Sequence, residues 1–409
     1  MRVSAYSVQR LGWTDPAIET LDLPGGAMTL RSGFGSGLAV RPGDRPGLVW
    51  AVGDRGPNIK VRDAIERYGL DHLWPLADVS GAKIMPHLET GPALAELRVG
   101  EDAVKLVRVL PLTRADGRLL SGLPNPGSDQ LMSEPVFDLA GAPISPDPDG
   151  LDTEGLVALA DGSFWVGDEF GPSLVHVDAR GRVMRRLLPL PRDAAESAVG
   201  LPAIAAKRQL NRGFEALAIS ADERALFLAF QSPLAHPDQA AHRAARHVRV
   251  WRLDPASGAV VAQYAYPLDP PESFLRDCAA GPFGRDDIKV SELLWLADDM
   301  LLVLERGSKT TKIYRCVLTA GKALPRAYLD PATRPTLEER SASEAVDFPE
   351  LSKELLFSSD DHPEVSSDLE GAALLSPCEL ILVSDNDFGV EGAETCFWRV
   401  RFEEALCGG

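Results

Sequence analysis

Five times along this chain a short apolar strand is followed by a turn and a second, more strongly apolar strand that ends in polar residues. The copies are SGLAVRPGDRPGLVWAVGDRG (36–56), DTEGLVALADGSFWVGDEFG (152–171), GFEALAISADERALFLAFQSP (213–233), VSELLWLADDMLLVLERG (290–307) and SDLEGAALLSPCELILVSDNDFG (367–389). The runs VWAV, FWVG, LFLAF, LLVLE and LILVS are too short for helices and are bounded by turn residues, which predicts strands buried on both faces. Further strands follow the pair, as in SLVHVDARG with VMRRLLPL and HVRVWRLDPASG with AVVAQYAYPL. Four antiparallel strands repeated in this way describe the blade of a β-propeller, and each blade buries its faces only against its neighbours. The reading is therefore all-β: one propeller domain over 1–409 with five recognisable blades. Residues 113–151, rich in Gly and Pro, form an insertion or a weak sixth. A strand near 2–11 is expected to complete the last blade after TCFWRVRF. Two β-sandwich domains would not explain the repeated unit, and no linker divides the chain. Helix is expected only in insertions such as 60–72 and 236–247.

Composition agrees and narrows the partners. With 36 Gly and 32 Pro in 409 residues, the chain is built for many turns. Its formal net charge is −18 and no Lys/Arg run occurs, which disfavours nucleic acid and anionic membrane surfaces. No apolar stretch is long enough to span a bilayer. The start, MRVSAYSVQRLGW, lacks an apolar signal core, so a cytoplasmic protein is expected from the sequence as given, or a periplasmic or secreted one if it was trimmed. The five cysteines show no metal spacing. Reduced thiols are the expectation, with Cys378 and Cys396 the one pair to suspect.

The chemistry is expected where the inner strands begin. Four units place a Glu there: Glu154, Glu215, Glu292 and Glu370, with Gly37 at the matching point of the first. Acids crowded around one axis repel, so they need a cation or raised pKa values. Carboxylates without His or Cys suit a hard divalent ion, Ca2+ first and Mn2+ second. The second strands end in Asp54-Arg55, Asp168-Glu169, Gln231-Ser232, Glu305-Arg306 and Asp385-Asn386-Asp387, a second tier around the same mouth. Arg55, Arg306 and Lys309 would either grip an anionic group or neutralise neighbouring acids. Asp152, Asp368 and Asn211 lie just before channel acids and read as turn residues or extra ligands. His362, in SSDDHPEVSSDLEG, is the one histidine near such a position.

These residues resemble a known family, the phytase-like proteins described as "esterase-like activity of phytase". The resemblance runs through FWVGDEFGPSLVHVDARGR, NRGFEALAIS with FQSPL, QYAYPLDP, SELLWL with LLVLERG, and DLEGAALL with LILVSDNDF. It implies a propeller, divalent metal near the channel, and hydrolysis of phosphate esters, with Glu154, Glu215, Glu292 and Glu370 as the metal-facing acids. Phytate itself would want more Lys and Arg than this mouth offers.

The first expectation is a metal-dependent hydrolase of phosphoric di- or triesters acting on a small molecule. Arg306 or Arg55 would stabilise transition-state charge, a spare channel carboxylate would act as base, and Asp168 is a further candidate catalytic residue. Lys309, Asp54, Glu169, Asp385 and His362 would meet the substrate. The alternatives are a Ca2+-dependent lactonase or carboxylic-ester hydrolase, and a non-catalytic binding module whose metal ties the blades together.

Overall fold

The apolar runs become central strands because neither face reaches water: Phe164–Asp168 and Leu226–Phe230 are buried at every position. The computed structural model describes residues 5–127, 133–194 and 198–407. Among them are five four-stranded antiparallel sheets. The first comprises Gly37–Ala39, Leu48–Val52, Ala93–Val99 and Val104–Pro111. The second runs Thr153–Ala158, Phe164–Asp168, Ser173–Val177 and Val183–Leu187. The third holds Phe214–Ile219, Leu226–Phe230, His247–Leu253 and Val260–Pro267. Lys289–Ala297, Met300–Arg306, Thr311–Val317 and Ser352–Ser358 form the fourth. The fifth joins Leu369–Ser376, Glu379–Ser384 and Phe397–Phe402 to Tyr6–Leu11 from the other end of the chain. Tyr6 pairs with Phe402 and Leu11 with Phe397.

The first strand of each sheet is the inner one, and these pack on one another in cyclic order. At their far ends they enclose an apolar cavity lined by Leu38, Leu156, Leu217, Leu293 and Leu374, one from each. Near the axis the backbones come very close. A Cβ on Gly37 would stand 2.4 Å from the carbonyl oxygen of Glu154, and one on Gly155 2.6 Å from that of Glu215. At Gly37 and Gly155 glycine is thus a requirement of spacing. Gly155→Val should lower stability by about 1–3 kcal/mol or more, the cost of overpacking, read as a fall in the denaturant midpoint.

Residues 113–151 do not form a further four-stranded sheet among the described residues. They contribute Val136–Phe137 to a small three-stranded sheet with Ile59–Lys60 and Lys83–Ile84; 128–132 lie outside the described set, as do 1–4 of the expected N-terminal strand. The two expected helical insertions carry α-helices at Val61–Tyr68 and Gln239–Ala244. No helix among the described residues is long and apolar enough to cross a membrane. All five cysteines are free. Cys378 and Cys396 flank opposite ends of the strand Glu379–Ser384, too far apart to bond.

Candidate metal centre

Each of four inner strands carries an extra residue where it starts to pair with its neighbour. The ladder slips between Thr153 and Leu156, Phe214 and Ala216, Val290 and Glu292, and Leu369 and Gly371. Such bulges re-aim a side chain. The slipped positions hold Glu154, Glu215, Ser291 and Glu370. In the fourth sheet the bulge therefore falls on a serine, and Glu292 sits one residue later, opposite Leu304.

That one-residue offset decides what Glu292 does. Its carboxylate accepts from the backbone N–H groups of Leu38 (3.1 Å), Ala372 (3.4 Å) and Leu293 (3.2 Å). It ties three inner strands together and does not join the acidic cluster, contrary to its expected role as a ligand. Burial holds its pKa well above the usual carboxylate range.

Glu154 and Glu215 do converge. Glu154 belongs to two groups, Asp54–Asp152–Glu154 and Glu154–Glu169–Glu215, and within each the candidate oxygens lie within 4.8 Å of one another. Glu154 Oε2, Glu215 Oε2 and Asp152 Oδ1 are buried without any hydrogen-bond partner. Buried orphan oxygens on adjacent carboxylates are costly unless protons or a cation satisfy them. The donor set, all oxygen and in excess of three, fits Ca2+ or Mn2+. Glu215 Oε1 is steadied by Gln231 Nε2 (2.7 Å) and Ser291 Oγ (3.3 Å).

Cations surround this cluster. Arg55 Nη1 lies 2.5 Å from Glu134 Oε1, and its Nε lies 3.6 Å from Asp152 Oδ2. Arg208 donates to the carbonyl oxygen of Phe170 (2.9 Å), and its pKa falls to about 10 through burial, opposed by Glu169. Lys289 is pushed down to about 8 by the Arg306 guanidinium and burial, with Glu215 pulling it back. Sequence reasoning missed Glu134, Lys289 and Ser291. Only Lys289 left a signal, as a lone cation opening an inner strand.

The remaining expected residues are placed as follows. Asp54 and Glu169 are part of the cluster itself. Asp168 is saturated: it accepts from the N–H groups of Asp152, Phe170 and Gly171, from Ser173 Oγ (2.6 Å) and from Arg186 (2.8 Å). Its oxygens are occupied by these five donors, which does not fit its expected catalytic role. Glu370 is ion-paired with Arg306, which also holds Asp368 (2.9 Å) and Ser291 Oγ (2.9 Å). Asp385 borders Asp54, keeps Oδ1 unpartnered, and is pushed up to about 7 by burial and by Asp387. Lys309 is exposed on a turn whose backbone is fastened to Asp277. His362 stacks on Phe357 and packs against Tyr6, between outermost strands and away from the mouth. Its expected contact with substrate does not fit that position. Glu305, spent on Tyr266, Lys353 and the N–H of Asp269, also turns away.

A family model described as "Phytase-like: Esterase-like activity of phytase" matches residues 31–388. The chain belongs to the phytase-like family. Among its relatives, an uncharacterized secreted protein of Arthroderma benhamiae is 31% identical over 266 residues, covering 54% of this chain. The match spans about half, 48%, of that relative. Two solved structures align at low similarity. A luciferin-regenerating enzyme is 11% identical with a TM-score of 0.37, covering 91% of this chain and 92% of that one. Virginiamycin B lyase from Staphylococcus aureus is 11% identical with a TM-score of 0.36, covering 97% and 100%.

The electrostatics of this phytase-like centre give a pH signature. Burial, then mutual repulsion, raises Glu154 and Glu169 well above the usual range; Asp152 is raised likewise, against the pull of Arg55. The metal-free folded form then keeps protons that the unfolded chain releases near pH 4. Stability should fall as pH rises through that window, whose upper part includes Asp385 at about 7. In EDTA the protein should melt higher at pH 5.5 than at pH 8. Added Ca2+ or Mn2+ should raise the melting temperature more at pH 8, because binding requires ionised acids. Calorimetry at the two pH values checks both.

Proposed function

We propose that the five sheets are the blades of a closed five-bladed β-propeller, and that its acidic mouth is the centre of a divalent-metal-dependent phosphoric-ester hydrolase. One observation carries the reading: Glu154 is shared by two carboxylate groups in which Glu154 Oε2, Glu215 Oε2 and Asp152 Oδ1 are buried without partners, with Arg55 and Lys289 alongside. Asp54, Asp152, Glu154, Glu169 and Glu215 would hold one or two cations. A bound cation supplies polarisation of the phosphoryl oxygen and lowers the pKa of water at the site.

The chain's own residues do the rest. Gln231 and Ser291 fix the orientation of Glu215. Arg55, held by Glu134 and Asp152, keeps its positive charge beside the cluster, where it would offset charge growing on the phosphoryl oxygens. Lys289, pushed down to about 8, would serve a leaving group or an attacking water. Arg306 is occupied by Asp368, Glu370 and Ser291, so its role is to set the charge and position of these neighbours. Few cations are left to bind a densely charged substrate, which favours di- or triesters over phytate. The relative described as secreted supports export as the setting.

The test is metal analysis of purified protein, followed by assays on phosphomono-, di- and triesters, a lactone and a carboxylic ester, each with Ca2+ or Mn2+ restored after chelation. Metal-dependent turnover of a phosphoric ester supports the reading. Turnover confined to the lactone or carboxylic ester would transfer the centre to that chemistry. Bound metal with no turnover at all favours a structural ion.

A further inference from the structure

Where the first sheet's second strand ends, Gly53 and Asp54 lead out of Val52 and border a second space. Asp54 contributes to the carboxylate cluster and also to the wall of a cavity of about 330 Å³. The rest of that wall is mostly apolar: Ala17, Phe34, Pro92, Leu112, Leu120 and Phe388. Phe388, with a φ of 55°, lies against Gly33, where a Cβ would stand 3.3 Å from its ring. The lip is apolar too, since Ile18, Val109 and Leu119 are exposed large hydrophobics that line the same cavity. This size is at the lower end for small-molecule sites, enough for one ring with a short chain. A polyphosphorylated ring would find no cation on these walls.

We propose that this cavity takes one apolar arm, aryl or branched alkyl, of the ester whose phosphoryl group meets the carboxylate cluster; the inference rests on the hydrolase reading above. Asp54 borders both the cluster and the cavity, so an ester with its phosphorus at the cluster would direct a carbon substituent towards the cavity. Selectivity then comes from burying that arm, while the acids and cations deal only with the phosphoryl group.

Two variants test it. Ala17→Trp puts bulk into the cavity from an exposed strand position, and Leu119→Asp puts charge on the exposed lip. Methyl 4-nitrophenyl phosphate and phenyl 4-nitrophenyl phosphate share a leaving group and differ in the other arm. Binding of 1-naphthol to the chelated protein, measured by calorimetry, gives a readout independent of turnover. The expected result is naphthol binding in the parent protein that both variants abolish. The KM for the phenyl ester should also rise about tenfold or more, the scale of losing apolar groups from a pocket. Should both variants bind naphthol and cleave both esters like the parent, the inference is overturned and the hydrolase reading stands. Should neither ester be cleaved with any metal while the broader panel is also silent, the hydrolase reading fails and the inference fails with it.

Discussion

Glu154→Gln should strip the protein of metal and reduce ester hydrolysis by at least about 100-fold, more than the 10–100-fold typical when only a residue that orients a ligand is lost. Glu154 is the one acid common to both carboxylate groups, so its charge serves every cation position the cluster can offer. The change keeps the shape of the side chain. In the metal-free protein it should be neutral or stabilising, because Gln is neutral without taking up the proton that burial and the acids Glu215, Asp54, Glu169 and Asp152 force on Glu154. Metal content per folded molecule, turnover and the melting temperature in EDTA together decide the matter. Normal metal content and turnover would show that the cluster is not the metal centre. Glu350, which only meets His247 from a half-exposed position, is the control acid.

Glu292→Ala should have the opposite profile. Removing this carboxylate leaves the amides of Leu38, Ala372 and Leu293 without their acceptor in a buried site. Each unsatisfied buried group costs about 1–3 kcal/mol, so a loss of about 3 kcal/mol or more is expected in urea unfolding. Metal bound per folded molecule should stay unchanged. If metal is lost and stability is kept, Glu292 belongs among the ligands after all.

The contrast between these two acids shows what the sequence could convey. The repeated two-strand unit was legible because burial on both faces leaves a run of apolar residues between turns, and the N-terminal strand could be placed as the one that completes the last blade after TCFWRVRF. Glu154 and Glu215 were legible because they open such strands. Glu292 looked equivalent, yet the bulge that sets its register is a backbone event with no residue signature: Ser291 occupies the slipped position, and a one-residue offset sends the next side chain elsewhere. Glu370 was equivalent in register but is neutralised by Arg306, from the second strand of the fourth sheet. Glu134 comes from the long segment after the first sheet, where no periodicity links it to Arg55. Asp168 resembled a free carboxylate because its five donors come from loops and a third and fourth strand that a linear reading cannot align.

The pairing of Tyr6–Leu11 with Phe397–Phe402 has a consequence for biosynthesis. Tyr6–Leu11 is synthesised long before Phe397–Phe402 and has to wait for it before these hydrogen bonds can form. Until then the fifth sheet has an open edge at both sites, a template for pairing with other chains. Pairing at such separation is slow to find and must overcome the largest loop-closure entropy of any strand pair among the described residues. Translation pauses or high expression should therefore expose this protein to aggregation, and a chaperone that shields residues 6–11 would protect it through the longest vulnerable interval.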